Sequence, residues 1–199
     1  KVASAEGRLP SPAAVDPAEP GRLGGQTALP LDEVAGKDLV MPQVYLSQAH
    51  AQLCRVGVGD PFPDLELADL EGRQQSVSRL LGKRLTVVVF WNGQRPLALE
   101  ELKDMESVEK RFSPQGVAVI GINSGDSPKL AAELAGHAEV TFVNLVDPTG
   151  TALAQVGTGK IPRTYLVDAT GKIVWFDIEY SRTTRRSLSQ AIGYMLTQP

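Results

Sequence analysis

The chain has 199 residues, 20 Lys and Arg against 23 Asp and Glu, a formal charge of -3 and 42% hydrophobic residues, which fits one globular domain with an extension or at most two small domains. The acidic balance speaks against a nucleic-acid protein, which carries a basic stripe, and no apolar run approaches the roughly 18 residues that span a bilayer. One cysteine, Cys54, and two histidines, His50 and His137, exclude an internal disulfide and a CxxC redox pair and leave little material for a metal site.

The sequence opens on Lys1. Val2-Ala3-Ser4-Ala5 fits either the end of a secretory signal, with an A-x-A pattern at Ala3 and Ala5, or an Ala/Ser-rich linker. The first reading predicts an exported protein, periplasmic or otherwise extracytoplasmic, whose signal was cleaved or stayed as a membrane anchor. Residues 1–41 are rich in Pro and Gly. Pro10, Pro12, Pro17, Pro20 and Pro30 break any helix, and few large apolar residues offset the entropy of ordering. They read as an arm or linker that is disordered alone and docks on a partner. Residues 42–57 read as a short amphipathic helix and a connection, with Val44, Leu46, Ala49, Leu53 and Val56 roughly at helical spacing. On that helix His50 and Cys54 share a face, as a redox or metal pair or as a small apolar residue beside a histidine.

Residues 58–199 read as one domain. Leu65-Glu66-Leu67 and Gln75-Ser76-Val77 flank a turn at Asp69-Leu70-Glu71-Gly72, a hairpin. Leu85 to Trp91 is a continuous apolar run, the mark of a strand buried on both faces. A helix is expected from Pro96 to Phe112, with Glu100 and Glu101 favoured by the dipole at its start and Leu99, Leu102, Met105, Val108 and Phe112 as its buried stripe. A second buried strand spans Val117 to Ile122. Asp126 or Ser127 caps the next helix, with Pro128 in its first turn. A strand from Thr141 to Val146 and a short helix from Asp147 to Val156 follow. Two strands, Thr164 to Val167 and Ile173 to Phe176, meet at Asp168-Ala169-Thr170-Gly171, and a last helix runs from about Thr183 to Leu196. This order predicts an α/β fold with a central mixed sheet flanked by helices.

Three stretches carry a resemblance: VGDPFPDLELADLEGRQQSVSRLLGKRLTVVVFW, LVDPTGTALAQVGTGKIP and IPRTYLVDATGKIV. With them the chain resembles the thioredoxin-like superfamily. It is most similar to exported thiol-disulfide proteins of the TlpA/ResA type and to the neighbouring redoxin (AhpC/TSA) branch. The resemblance implies a thioredoxin-like fold, a cis peptide before Pro162, and a groove beside it where the family's backbone pairs with an extended substrate. Trp91, Gln94 and Arg163 are expected to border that groove. It also implies two cysteines where this chain reads FWNGQRPLALEEL. The nucleophile position falls on Arg95 and the resolving position on Ala98. Arginine cannot attack a disulfide and alanine cannot resolve one, so the dithiol activity is expected to be lost, with no catalytic residue and no cofactor or metal in its place.

The leading expectation is a redox-inactive thioredoxin-fold protein that binds or scaffolds another protein, as a subunit of a membrane-associated complex contacted through the arm. One rival is a thiol oxidoreductase or peroxidase that uses the lone Cys54. Another is a binder of small anionic ligands, with Arg95 as anchor for a carboxylate or phosphate; a solvated Arg95 is the plainer alternative. Gly157-Thr158-Gly159-Lys160 lacks the full phosphate-loop pattern, since Ala154 stands at its first glycine. Arg182, Arg185 and Arg186 read as a solvated basic face or a contact for an acidic partner.

Overall fold

The computed structural model describes residues 39–159 and 161–198; the proposed arm, except for its last residues, and Lys160 lie outside the described residues. The elements in chain order are α1 (Gln48–Ala51), β1 (Glu66–Asp69), β2 (Gln74–Ser76), β3 (Leu85–Trp91), α2 (Ala98–Phe112), β4 (Val117–Ser124), α3 (Pro128–His137), β5 (Val143–Asp147), α4 (Leu153–Val156), β6 (Arg163–Asp168), β7 (Ile173–Asp177) and α5 (Arg182–Thr197). The strands form one sheet in the order β2-β1-β5-β4-β3-β6-β7. β4 pairs in parallel with β3 and β5, and the remaining pairs are antiparallel. The sheet is mixed, as expected.

β3 is central because every one of its seven residues is apolar or Thr, and all are buried. Alternate residues serve opposite faces. Val87, Val89 and Trp91 pack with Leu102, Met105 and Phe112 of α2 and Leu188 and Ile192 of α5. Val88 and Phe90 pack with Ile120, Leu145, Tyr165 and Val156 on the other side. Trp91 also donates its Nε1–H to Asn144 Oδ1 at 3.0 Å, so the end of β3 is pinned to β5 by a buried polar bond.

Two local expectations change. The helix expected over 42–56 shrinks to four residues, capped by Ser47, whose hydroxyl accepts the His50 N–H at 3.1 Å. Met41, Val44 and Leu46 instead enter the two apolar layers from non-helical backbone. Beyond α1 the chain pairs with the end of α4: Thr158 N–H donates to Leu53 O at 2.8 Å and Arg55 N–H to Val156 O at 3.0 Å. Those backbone bonds replace helical ones. α2 begins at Ala98 rather than Pro96, and its buried face is Ala98, Glu101, Leu102, Met105, Glu106, Val108 and Phe112, with Leu99 exposed. Ser127, not Asp126, caps α3, accepting the Leu130 N–H at 3.3 Å. No helix of the described residues is long and apolar enough to cross a membrane.

Candidate functional site

β3 delivers the chain to the loop 92–97 at the C-terminal edge of the sheet, where α/β folds bring ligands. The loop is held from below. Asn92 Nδ2 donates to Ser124 O at 2.7 Å, and Gly93 N–H donates to Asp126 Oδ2 at 2.7 Å. The same oxygen accepts Asn123 Nδ2 at 2.8 Å. Gly93 packs closely: a Cβ there would stand 2.2 Å from Leu134 Cδ1, so the Leu134 side chain would have to move aside. The turn closes with Ala98 N–H on Arg95 O at 3.1 Å, which leads directly into α2.

Across from this loop lies Pro162, and the Ile161-Pro162 peptide is cis, as the resemblance implied. Arg95 spans the gap: its Nε–H donates to Ile161 O at 2.9 Å. The side chain that stands at the nucleophile position thus holds the carbonyl beside the cis-proline. Behind the pair is a cavity of about 430 Å³ lined by Arg95, Ala98, Glu101, Ile161, Pro162 and Tyr180, among others.

Glu101 gives the cavity its chemistry. It is 4% exposed, and its Oε1 has no hydrogen-bond partner. Burial pushes its carboxyl up to about 8; Asp104, one turn on, adds to the rise and Arg95 opposes it. At neutral pH it is mostly a neutral acid, able to donate as well as accept. Tyr180 and Asp104 are hydrogen-bonded, and Arg185 Nη1 donates to Asp104 Oδ2 at 2.6 Å. Burial and the Asp104 carboxylate raise the Tyr180 pKa, so its hydroxyl stays protonated. Glu179 at the rim lies 3.7 Å from His50 Nε2, which ties α1 to the same edge.

The residues expected at the groove separate. Arg95, Ala98 and Pro162 meet in it, and Gln94 is exposed on the loop. Trp91 is fully buried in the helix-covered layer. Arg163 is fully buried too: its Nη2 donates to Leu53 O at 2.7 Å and Thr158 O at 2.8 Å, so it braces the backbone rather than edging the groove. Cys54 is half-buried, and its thiol donates to the His50 carbonyl at 3.4 Å, while the His50 ring turns to Glu179. Arg163 Nη1 stands 3.6 Å from the Cys54 sulfur. The basic cluster is divided as well, with Arg185 paired to Asp104 and Arg182 and Arg186 exposed. Glu101 reads in the sequence only as a dipole-friendly charge; its spacing of three residues from Ala98 and four from Met105 is the signal that places it inside.

The AhpC/TSA family pattern matches residues 58–176. The thiol-disulfide oxidoreductase ResA of Geobacillus thermodenitrificans is 33% identical over 119 residues, 59% of this chain and 67% of ResA. Among solved structures, peroxidoxin BcpB of Mycobacterium tuberculosis shares the fold at TM-score 0.62 with 22% identity, covering 71% of this chain and 98% of that one. A secreted disulfide oxidoreductase of the same organism, described as homologous to E. coli DsbE, superposes at TM-score 0.57 with 18% identity, over 65% of this chain and 94% of its own. The chain belongs to the AhpC/TSA family within the thioredoxin-like superfamily, on its TlpA/ResA-type branch.

Proposed function

We propose that this chain is a redox-inactive member of its family that binds another protein through the face formed by the loop 92–97, the start of α2 and cis-Pro162, as a scaffold subunit. One observation carries the reading: Arg95 stands at the nucleophile position and holds Ile161 O at 2.9 Å, in a chain with no cysteine after Cys54. A thiolate is the attacking species in disulfide exchange, and no group at this site supplies one. The groove and its cis-proline are nevertheless intact, which is what a binding face needs. An exported location accords with the secreted relative and with the A-x-A pattern at Ala3 and Ala5. A membrane complex contacted through residues 1–41 is the corresponding proposal for the assembly.

The test is gentle solubilisation of native membranes and periplasm, followed by sizing and mass spectrometry. Fixed partners at constant stoichiometry are expected, and disruption of the complex by substitutions at Arg95 and Ala98 would assign the face. A free monomer of about the chain mass of 21.3 kDa would overturn the reading.

A second reading rests on the Arg163 guanidinium 3.6 Å from the Cys54 sulfur, since a neighbouring cation is a feature of reactive thiols. It makes Cys54 the lone thiol of a peroxidase or oxidoreductase. Peroxide or thiol-exchange activity lost in Cys54→Ser supports it; equal rates for the two proteins end it.

A further inference from the structure

We infer that the cavity beside cis-Pro162 is a carboxylate-binding site, in which Arg95 and the Leu99 and Glu100 backbone amides in the first turn of α2 take the anion and the Glu101 carboxyl hydrogen-bonds it from within. The inference deepens the protein-binding reading and rests on it for the source of the carboxylate, which a partner segment would bring as an acidic side chain or chain terminus.

Four observations converge. α2 is a 15-residue helix whose N-cap, Leu97, makes no side-chain cap bond, so the positive end of a long helix lacks the usual acceptor. Arg95 adds a formal charge where the dipole disfavours a cation, an arrangement that an anion between them would reverse. Only its Nε–H is engaged with Ile161 O, and a guanidinium carries four further N–H donors. Finally, Glu101 is almost wholly buried at the cavity with Oε1 unpartnered. A buried polar atom without a partner is rare in native proteins and calls for one.

The choice of a carboxylate follows from the surroundings. The cavity of about 430 Å³ has apolar walls at Ile161, Pro162 and Ile178, which suit a carbon stem. The planar monoanion matches the guanidinium fork. A phosphate dianion would face Glu179 at the rim and Asp104 behind Glu101. An ammonium would meet Arg95 and the helix dipole.

Glu101 makes binding proton-linked. Its carboxyl titrates at about 8, with Arg95 and Asp104 as the charges acting on it. Tyr180 and Glu179 face the cavity from the connection into α5. Arg185 of α5 neutralises Asp104, and His50 of α1 pairs with Glu179. A protonated Glu101 donates to the anion; an ionised one repels it.

The test titrates the full chain separately with butyrate, inorganic phosphate and n-butylammonium, following backbone amide signals by NMR. Butyrate is expected to shift the amides of residues 98–101, and its affinity to fall about tenfold between roughly pH 6.5 and pH 9 as Glu101 ionises. Arg95→Ala is expected to lose at least about tenfold in affinity. Glu101→Gln, whose amide still donates, is expected to bind without the pH dependence. Amide spectra unchanged away from the site show that each variant is folded. Preferential binding of phosphate or n-butylammonium, or butyrate binding indifferent to Arg95→Ala and to pH, would overturn the inference. Butyrate binding as expected with no partner in native extracts would keep the site and end the scaffold reading. A stoichiometric partner together with no butyrate shift would end the carboxylate site alone.

Discussion

The guanidinium of Arg163 donates Nη2–H to the carbonyl of Leu53 at 2.7 Å, joining the strand that follows cis-Pro162 to the segment after α1. The same nitrogen donates to Thr158 O at 2.8 Å, so one buried side chain fixes both strands of the Leu53–Thr158 pairing. Gly157 makes the approach feasible, since a Cβ there would stand 2.5 Å from Arg163 Nη1 and 2.4 Å from Leu53 O.

Arg163→Met is therefore expected to destabilise the fold by about 2 kcal/mol, because Thr158 O loses its charged donor and Leu53 O keeps only the Thr158 N–H. The loss should be local first. Hydrogen exchange at Arg55 and Thr158 should speed up more than exchange in β3 and β4. A midpoint of denaturation equal to that of the parent, with unchanged exchange at Thr158, would show that the brace is dispensable.

The loop before α2 depends on Asp126. Its Oδ2 accepts from Gly93 N–H and Asn123 Nδ2, and Asp126→Ala orphans both donors. The expected cost is roughly 2 kcal/mol. The diagnostic readout is faster exchange at the Gly93 amide and altered amide signals over residues 92–97, with the α3 cap at Ser127 unaffected.

Much of the fold was legible because its signals are local. The apolar run of β3, the turn at Asp168–Gly171 and the cap at the start of α3 each act within a few residues. The site was half legible. Arg95 and Pro162 could be brought together only through family resemblance, being 67 positions apart in the sequence. Glu101 read only as a helix-start charge favoured by the dipole, because charge dominates such a reading over spacing. Arg163 looked like a groove residue, yet its guanidinium is consumed by carbonyls of Leu53 and Thr158. The apolar spacing of Val44 to Val56 suggested a longer helix, but backbone pairing with residues 156–158 won over helical propensity. No local pattern encodes a bond across a hundred positions.

The loop geometry also bears on what the missing thiols would do. Ala98 N–H on Arg95 O at 3.1 Å defines a turn whose end residues lie close, within the separation a disulfide bridges. The double variant Arg95→Cys, Ala98→Cys is expected to form an internal disulfide on oxidation, and its first thiol would sit at a helix start that favours the thiolate. Insulin reduction by the double variant should rise well above the parent, which should match the uncatalysed background. A parent as fast as the double variant would instead point to Cys54.

Glu101 sets the last expectation, through the pH dependence of stability. Its folded pKa, about 8, lies above the ordinary 4.5. Between those values the folded state holds a proton that the unfolded state has released, so stability falls as pH rises from about 4.5 to about 8 and is level beyond it. The shift corresponds to an upper bound on the order of 5 kcal/mol, at about 1.36 kcal/mol per unit. Glu101→Gln has no proton to lose. It is expected to flatten this part of the profile, with a stabilisation over the parent that is small near pH 5 and grows to several kcal/mol, roughly, near pH 9. Denaturant unfolding of both proteins across that range is the measurement. A difference between them that stays constant with pH would show that Glu101 is ionised in the folded protein, and that the cavity is wetter than its buried carboxyl implies.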